Sequence, residues 1–282
     1  MTERRSIRRT LELARTVAFP VLGGLLVLWW HDAPAHYAWV NIAAFLVGLL
    51  AIHFGRPAGS LASARMLGAI AITILALPLI TGPELDGVSR WLPIGPLTLN
   101  SGLLVIPLLA LTALRDDKLG WTFLAAAFLI TSLQPDAAAV LALAAAAGAW
   151  VWVHATRWGL AVAGAAIGVG SFLLEQPSPA PVPFVEYIVP MLWHEMGVPT
   201  QAIGLVMLLL APLFYLLRGE AGPSSDRCAI ALVYGTFLGS SFLAPYPVPL
   251  AGYGASAIVG LMAALGCMRD SSAHIATEDR MA

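Results

Sequence analysis

Charged residues divide the chain into nine long stretches that contain no Asp, Glu, Lys or Arg: 16–30, 33–55, 66–83, 91–114, 119–135, 137–156, 158–174, 196–217 and 228–268. Most approach or exceed the roughly 20 apolar residues that a helix needs to cross a bilayer. The last stretch is about twice that length, and Pro245, Pro247 and Pro249 divide it, because proline lacks an N–H and its ring stops a helix. The pattern therefore predicts ten helices, centred near residues 23, 46, 74, 107, 127, 146, 167, 207, 236 and 260. Helices are the expected element because a lone segment in lipid must satisfy its own backbone groups. The predicted fold is an all-α polytopic membrane bundle of about ten transmembrane helices. Residues 1–15 form a basic N-terminal segment, 16–268 the membrane domain and 269–282 a C-terminal tail.

The basic residues orient this bundle. Arg4, Arg5, Arg8, Arg9 and Arg15 precede the first span, and lysine and arginine favour the cytoplasmic side. Alternating from there leaves only Arg90, of the 15 basic residues, on the outer face. That segregation predicts an even number of spans with both termini cytoplasmic. The N-terminal cluster also suits anionic lipid, and the first apolar run is not followed by the small-residue site of a cleaved signal. On the outer face Arg90 is the lone cation among Asp32, Glu84, Asp86, Asp136, Glu175 and Glu186.

Composition agrees with the pattern. The chain is 59% hydrophobic and 11% charged, with a mean hydropathy of +0.82, whereas a soluble domain carries about 25% charged residues. These values exclude a soluble globular protein and a disordered chain. Two cysteines exclude a disulfide scaffold, and a formal net charge of −1 without a basic stripe argues against nucleic acid as a partner. The alanine-rich run 137–149 reads as a packing helix at the bundle centre, since small residues let membrane helices approach closely.

The common phosphate-binding, zinc-protease and nucleophile-elbow motifs are absent from the sequence. His31 and His36 read as interfacial residues beside Trp29, Trp30, Tyr37 and Trp39, an aromatic belt. Three outer segments stand out. The first, Gly87 to Asn100, sets Arg90 beside Trp91. The second, Gln134-Pro135-Asp136, opens the sixth span, where Asp136 reads either as an N-cap or as a functional carboxylate. The third, Val248 to Ser256, is rich in glycine and proline and predicts broken or re-entrant backbone, tolerated at membrane depth only where protein or a cavity surrounds it.

In order and position these three segments resemble the SEDS proteins, the FtsW/RodA/SpoVE group of bacterial cell division, elongation and sporulation. Gly87, Arg90, Trp91, Gly95 and Pro96 match the group's G-x-x-R-W-I-x-x-G-P. Gln134, Pro135 and Asp136 match its Q-P-D. Pro249, Tyr253, Gly254 and Ser256 match its L-P-F-x-S-Y-G-G-S. A fourth pattern, T-D-F-I-F followed by E-E-L-G, is answered by Val185-Glu186-Tyr187-Ile188-Val189 and His194-Glu195-Met196-Gly197, which sets Glu186 at the place of the group's proposed catalytic Asp. The sequence departs where the group has Q-P-S-E, reading Asn100-Ser-Gly-Leu103, and where Q-P-D is followed by L-G-T, reading three alanines.

The resemblance implies a ten-helix SEDS bundle in the bacterial inner membrane and polymerisation of glycan from lipid II, a disaccharide-peptide on a polyprenyl pyrophosphate. It implies that Glu186 is the catalytic base, that Arg90 contacts the pyrophosphate, and that Trp91, Asp136, Tyr253 and Ser256 contribute to substrate binding. It assigns no metal ligands, although a divalent cation can share the task of Arg90, and it suggests a penicillin-binding transpeptidase as partner besides membrane lipid. The departures keep two alternatives open: a non-catalytic SEDS-like scaffold and a lipid-precursor transporter.

Overall fold

The computed structural model describes residues 2–95, 97–176, 179–218 and 224–269, with side chains from residue 7 onward. Its helices are α1 (Thr2–Trp30), α2 (Ala35–Phe54), α3 (Leu61–Ala76) continued by the single turn α4 (Pro78–Thr81), α5 (Ser101–Leu114), α6 (Gly120–Leu133), α7 (Ala137–His154), α8 (Arg157–Leu174), the short α9 (Ile188–Pro190) with a π-helical turn at Met191–Glu195, α10 (Pro199–Leu217), α11 (Ser225–Leu243) and α12 (Ala255–Cys267). A hairpin of β1 (Trp91–Ile94) and β2 (Leu97–Asn100) precedes α5. With α3 and α4 taken together, each of the ten predicted spans has a helix at its place among the described residues.

The spans are not equal in length. Six are long and apolar enough to cross a membrane by themselves, whereas α5, α6 and α12 have 14, 14 and 13 residues. At about 1.5 Å per residue, each of those three falls short of a hydrocarbon core of about 30 Å. For α5 and α12 burial resolves the shortfall. Twelve of the 14 residues of α5 and ten of the 13 of α12 are buried, against four of 20 in α2 and three of 18 in α8. Both lie inside the bundle, where protein surrounds them. A Cβ on Gly260 of α12 would collide with the carbonyl of Leu103 on α5, so the two central helices touch backbone to backbone. Helix α7 is central as well, with eleven of its 18 residues buried, as its alanines predict. The outer surface is apolar, with Leu46, Leu50, Phe172, Met207 and Phe214 all exposed.

Polar contacts gather at the two ends. At the end where α1 begins and α12 stops, Arg9 donates to the carbonyl of Met268 at 2.9 Å. Arg65 pairs with Asp116 at 2.6 Å and Arg115 with Asp226 at 3.4 Å. Asp226 also accepts the Arg269 N–H at 2.9 Å, which holds the chain where it leaves α12. At the other end the segment 91–100 folds back on itself, a two-stranded ladder that the all-helical reading did not contain. Trp91 pairs with Asn100 and Ile94 with Leu97, and Gly95 takes φ +58° at the turn. Near water a short ladder with β-branched and aromatic positions competes with helix. Pro96 lies outside the described residues.

Replacing Asp226 by alanine leaves the Arg115 guanidinium, 2% exposed, without its carboxylate. Breaking a buried pair this way costs about 3–5 kcal/mol. Thermal unfolding in detergent should show the loss, and Arg115→Met combined with Asp226→Leu should recover most of it. At Asp116, the Arg65 guanidinium and the N–H groups of Leu119 and Lys118 hold the carboxyl below its ordinary range. A depressed folded value means that this stabilisation is present at neutral pH and is lost as pH falls through the folded value. On acidification the wild type should therefore lose more of its unfolding midpoint than Asp116→Asn does.

Candidate functional site

The three motif segments meet at the end of the bundle where α5, α7 and α12 begin. Ser101 donates its backbone N–H to the Arg90 carbonyl at 3.1 Å, which fixes the arginine at the base of the hairpin. The Arg90 side chain, 3% exposed, turns inward. Its Nη2 donates to Glu186 Oε1 at 3.4 Å, and its Nη1 lies 3.8 Å from Asp136 Oδ1. The guanidinium carbon stands 4.9 Å from the ring centre of Trp91 and 5.1 Å from that of Tyr246, a cation held between two aromatic rings. Nε has no hydrogen-bond partner among the described residues.

Glu186 reaches this point through a tight turn. Its own N–H donates to the Val182 carbonyl at 3.1 Å, and Val182 returns its N–H to Glu186 Oε2 at 3.3 Å. The turn is strapped to the broken segment between α11 and α12. Glu186 bridges Pro247, Val248 donates to the Val185 carbonyl at 3.1 Å, and Tyr253 donates to the Phe184 carbonyl at 2.7 Å. Gly252 is required at this crossing, since a Cβ there would lie 2.6 Å from the Val185 oxygen. Burial pushes the Glu186 carboxyl above its ordinary value, the Arg90 charge works against that rise, and the Asp136 carboxylate adds to it. The Tyr246 phenol is likewise raised by burial and by Asp136.

Asp136 caps α7, accepting the Ala139 N–H at 3.1 Å, so the cap reading describes its geometry. Its second oxygen accepts from Asn100 Nδ2 at 3.3 Å. Asn100 is the hub of the floor: Oδ1 caps α5 at the Leu103 N–H, 2.9 Å away, and the backbone N–H donates to Ser256 Oγ at 2.8 Å. Asn41, fully buried in α2, grips the broken segment from the other side. It donates to the Gly252 carbonyl at 3.0 Å and accepts the Gly254 N–H at 3.2 Å. Tyr253 stacks on Tyr37 with ring centres 4.1 Å apart, and His36 packs edge-on against both.

These elements enclose a cleft of about 250 Å³ lined by Tyr37, Trp91, Asn100, Glu186, Tyr253 and Ser256 among apolar neighbours. Of the residues singled out in the sequence, Trp91, Glu186, Tyr253 and Ser256 stand on its wall. Arg90 and Asp136 do not; they lie behind Glu186 and beside Asn100. The charge of Arg90 faces Glu186 and the two rings of Trp91 and Tyr246. Leu103, at the place of the glutamate in Q-P-S-E, lines the cleft as an apolar side chain. His194 and Glu195 are exposed on the π-helical turn, away from the cleft. His31 ties the first outer loop to α10 through Gln201 at 2.7 Å. Among the described residues no three His, Cys, Asp or Glu side chains converge on a point that could hold a metal. Sequence reasoning missed Asn41, Asn100, Tyr37 and Tyr246 as site residues. Asn41 alone carried a signal, an amide within an apolar span.

No family model matches the sequence, and no curated protein does. Solved structures do match the fold. The rod shape determining protein RodA of Thermus thermophilus superposes with a TM-score of 0.68 at 20% identity, covering 90% of this chain and 93% of that one. A point mutant of the same protein gives 0.67 at 21%, covering 90% and 94%. A chain from a structure described as the structural coordination of polymerization and crosslinking by a peptidoglycan synthase complex gives 0.61 at 22%, again covering 90% and 94%. The motif order and the superposition agree: the chain has the fold of RodA, one of the SEDS proteins that its motifs resemble, in a strongly divergent sequence.

Proposed function

We propose that the chain is a divergent SEDS protein that polymerises lipid II glycan at the cleft, in cell-shape maintenance or division. The observation that carries this reading is the placement of Glu186. A buried carboxylate, paired with Arg90, lines a cleft formed by the same segments that carry the motif resemblance. In the reaction Glu186 accepts the proton of an acceptor-sugar hydroxyl as that oxygen forms its bond to the anomeric carbon of the donor. The bond from that carbon to the polyprenyl pyrophosphate breaks, and the pyrophosphate departs with the electron pair. Burial raises the affinity of Glu186 for a proton, which brings it closer to the working pH of a general base. Arg90 is a positioning residue that aims the carboxylate and keeps it ionised. When Glu186 takes the proton its negative charge disappears, and the field of Arg90 becomes available to the departing pyrophosphate. Asp136, itself held by Asn100, faces the other side of the guanidinium.

The same reading puts residues 16–268 in the bacterial inner membrane, with 1–15 and 269–282 on the cytoplasmic side. It includes a penicillin-binding transpeptidase as partner, by analogy with the synthase complex among the structural neighbours. A second reading, a non-catalytic scaffold with the same fold, is favoured by Leu103, which removes the acidic group of the Q-P-S-E pattern from the cleft.

Purified protein in detergent with labelled lipid II separates the two. Wild type should form polymer, and Glu186→Gln should form it at least about 100-fold more slowly, the lower end of general-base contributions. Equal polymer from both proteins removes Glu186 from the mechanism, and polymer from neither favours the scaffold. Because the base acts only when deprotonated and its pKa is raised, the acid limb of the rate profile should lie above the ordinary carboxylate range. The ion pair can be tested apart from activity. Arg90→Met leaves Glu186 and Asp136 buried without a cation, at a cost of about 3–5 kcal/mol. Arg90→Met/Glu186→Gln should cost less than Arg90→Met alone, as read from thermal unfolding.

A further inference from the structure

Away from the cleft, at the end that the basic residues assign to the cytoplasm, two helices begin side by side. Helix α6 is entered through Lys118-Leu119-Gly120-Trp121, and α8 opens with Arg157-Trp158-Gly159-Leu160. In each, a cation stands two residues before a glycine, and both glycines answer to one side chain. A Cβ on Gly120 would lie 2.5 Å from the indole nitrogen of Trp150, and one on Gly159 would lie 2.7 Å from the same ring. Trp150 is fully buried in α7 and donates its indole N–H to the Asp116 carbonyl at 3.3 Å. That indole seats both helix starts, and the rings of Trp121 and Trp158 stack across them with centres 5.2 Å apart and an interplanar angle of 16°.

Lys118 and Arg157 therefore share one corner. Both are exposed, and neither side chain has an ionic partner among the described residues. The neighbouring charges are engaged elsewhere: Asp116 pairs with Arg65 at 2.6 Å, Asp117 acts on the same Arg65, and Arg115 pairs with Asp226. Leu119, Trp158 and Leu160 leave exposed apolar surface around the two cations. No side chain caps either helix, and the Thr156 hydroxyl just before Arg157 is buried without a partner among the described residues. Tryptophan rings sit at headgroup depth, and Lys and Arg lay their stems along apolar surface with the charge turned to water or phosphate. Basic pockets between membrane helices on the cytoplasmic side suit the two-phosphate lipid cardiolipin. We propose that this corner binds the headgroup of an anionic phospholipid of the inner leaflet, cardiolipin in preference to a single-phosphate lipid, with Lys118 and Arg157 each facing one phosphate. The bound headgroup ties α6 to α8, a helix with only three of its 18 residues buried that rests mainly on α7. This lipid contact does not require that the cleft polymerise glycan.

The test uses the full chain in non-ionic detergent with added cardiolipin, phosphatidylglycerol or phosphatidylcholine, followed by native mass spectrometry and thermal unfolding. Cardiolipin should stay bound and raise the unfolding midpoint, phosphatidylglycerol should do so only at higher concentration, and phosphatidylcholine should do neither. Lys118→Gln/Arg157→Gln should weaken cardiolipin binding about 30-fold, the sum for two cations near an anionic lipid surface, while Lys118→Arg/Arg157→Lys retains it. Arg15→Gln/Arg56→Gln removes two other exposed cations from the same end and should leave binding unchanged. On the wild type itself, a diazirine-bearing cardiolipin should label the peptides that contain Trp121 or Trp158. Undiminished binding by Lys118→Gln/Arg157→Gln, an equal loss from Arg15→Gln/Arg56→Gln, or labels confined elsewhere overturns the site. Equal affinity for cardiolipin and phosphatidylglycerol overturns the two-phosphate match, and inorganic phosphate that raises the midpoint as cardiolipin does overturns lipid as the occupant. None of these readouts depends on polymer formation, so the polymerase reading stands or falls separately.

Discussion

The contact between Arg90 and Glu186 is the constraint around which the outer rim is organised. Taking a guanidinium and a carboxylate out of water costs several kcal/mol for each ion, and attraction offsets that only when geometry and additional hydrogen bonds are good. Here the surroundings supply them: Val182 bonds the second carboxylate oxygen, Trp91 and Tyr246 cover the guanidinium, and Asp136 approaches its far nitrogen. Each helper comes from a different loop. Satisfying one buried charge therefore draws together the hairpin before α5, the entry to α7, the turn before α9 and the break between α11 and α12. The ion-pair distance of 3.4 Å is that of a loose pair.

The room for this arrangement comes from the middle of the bundle. Helices α5 and α12 are too short to span a bilayer alone, and glycine lets their backbones touch. The hairpin leads directly into α5 and the broken segment directly into α12. Loop backbone in such a place must find partners for every N–H and carbonyl. The partners are polar side chains: Asn41 for Gly252 and Gly254, Asn100 for the start of α5, Ser256 for the Asn100 N–H. The cleft is the volume left when those obligations are met, and Glu186 lines it because its turn is strapped to the same loop.

The functional reading depends on what stands on that wall. A paired carboxylate whose burial raises its affinity for a proton suits a base. The apolar Leu103 marks the departure from the SEDS pattern, since it faces the same cleft and supplies neither charge nor hydrogen bond. One carboxylate, Glu186, stands on the wall, and the second, Asp136, is held behind it as a helix cap.

Much of the architecture was legible from the chain because lipid imposes a one-dimensional rule. Uncharged runs of about 20 residues, interrupted by charges and prolines, locate the spans wherever their side chains meet in space. The alanine run of α7 announced a central helix for the same reason, and Asp136 before it announced a cap. The motif segments also marked Arg90, Glu186 and Tyr253 as belonging together. What the chain could not disclose was depth and facing. Whether Arg90 stands on the cleft wall or behind it depends on the Trp91 and Tyr246 rings and on the turn at Val182, and Tyr246 is 156 positions away by number, 246 − 90. Asn41, Asn100 and Tyr37 acquire their meaning only from backbone that arrives from elsewhere in the fold. Periodicity and hydropathy report the solvent around a segment, whereas hydrogen bonds and ring contacts between distant segments are set by three-dimensional packing, and that packing decided the site.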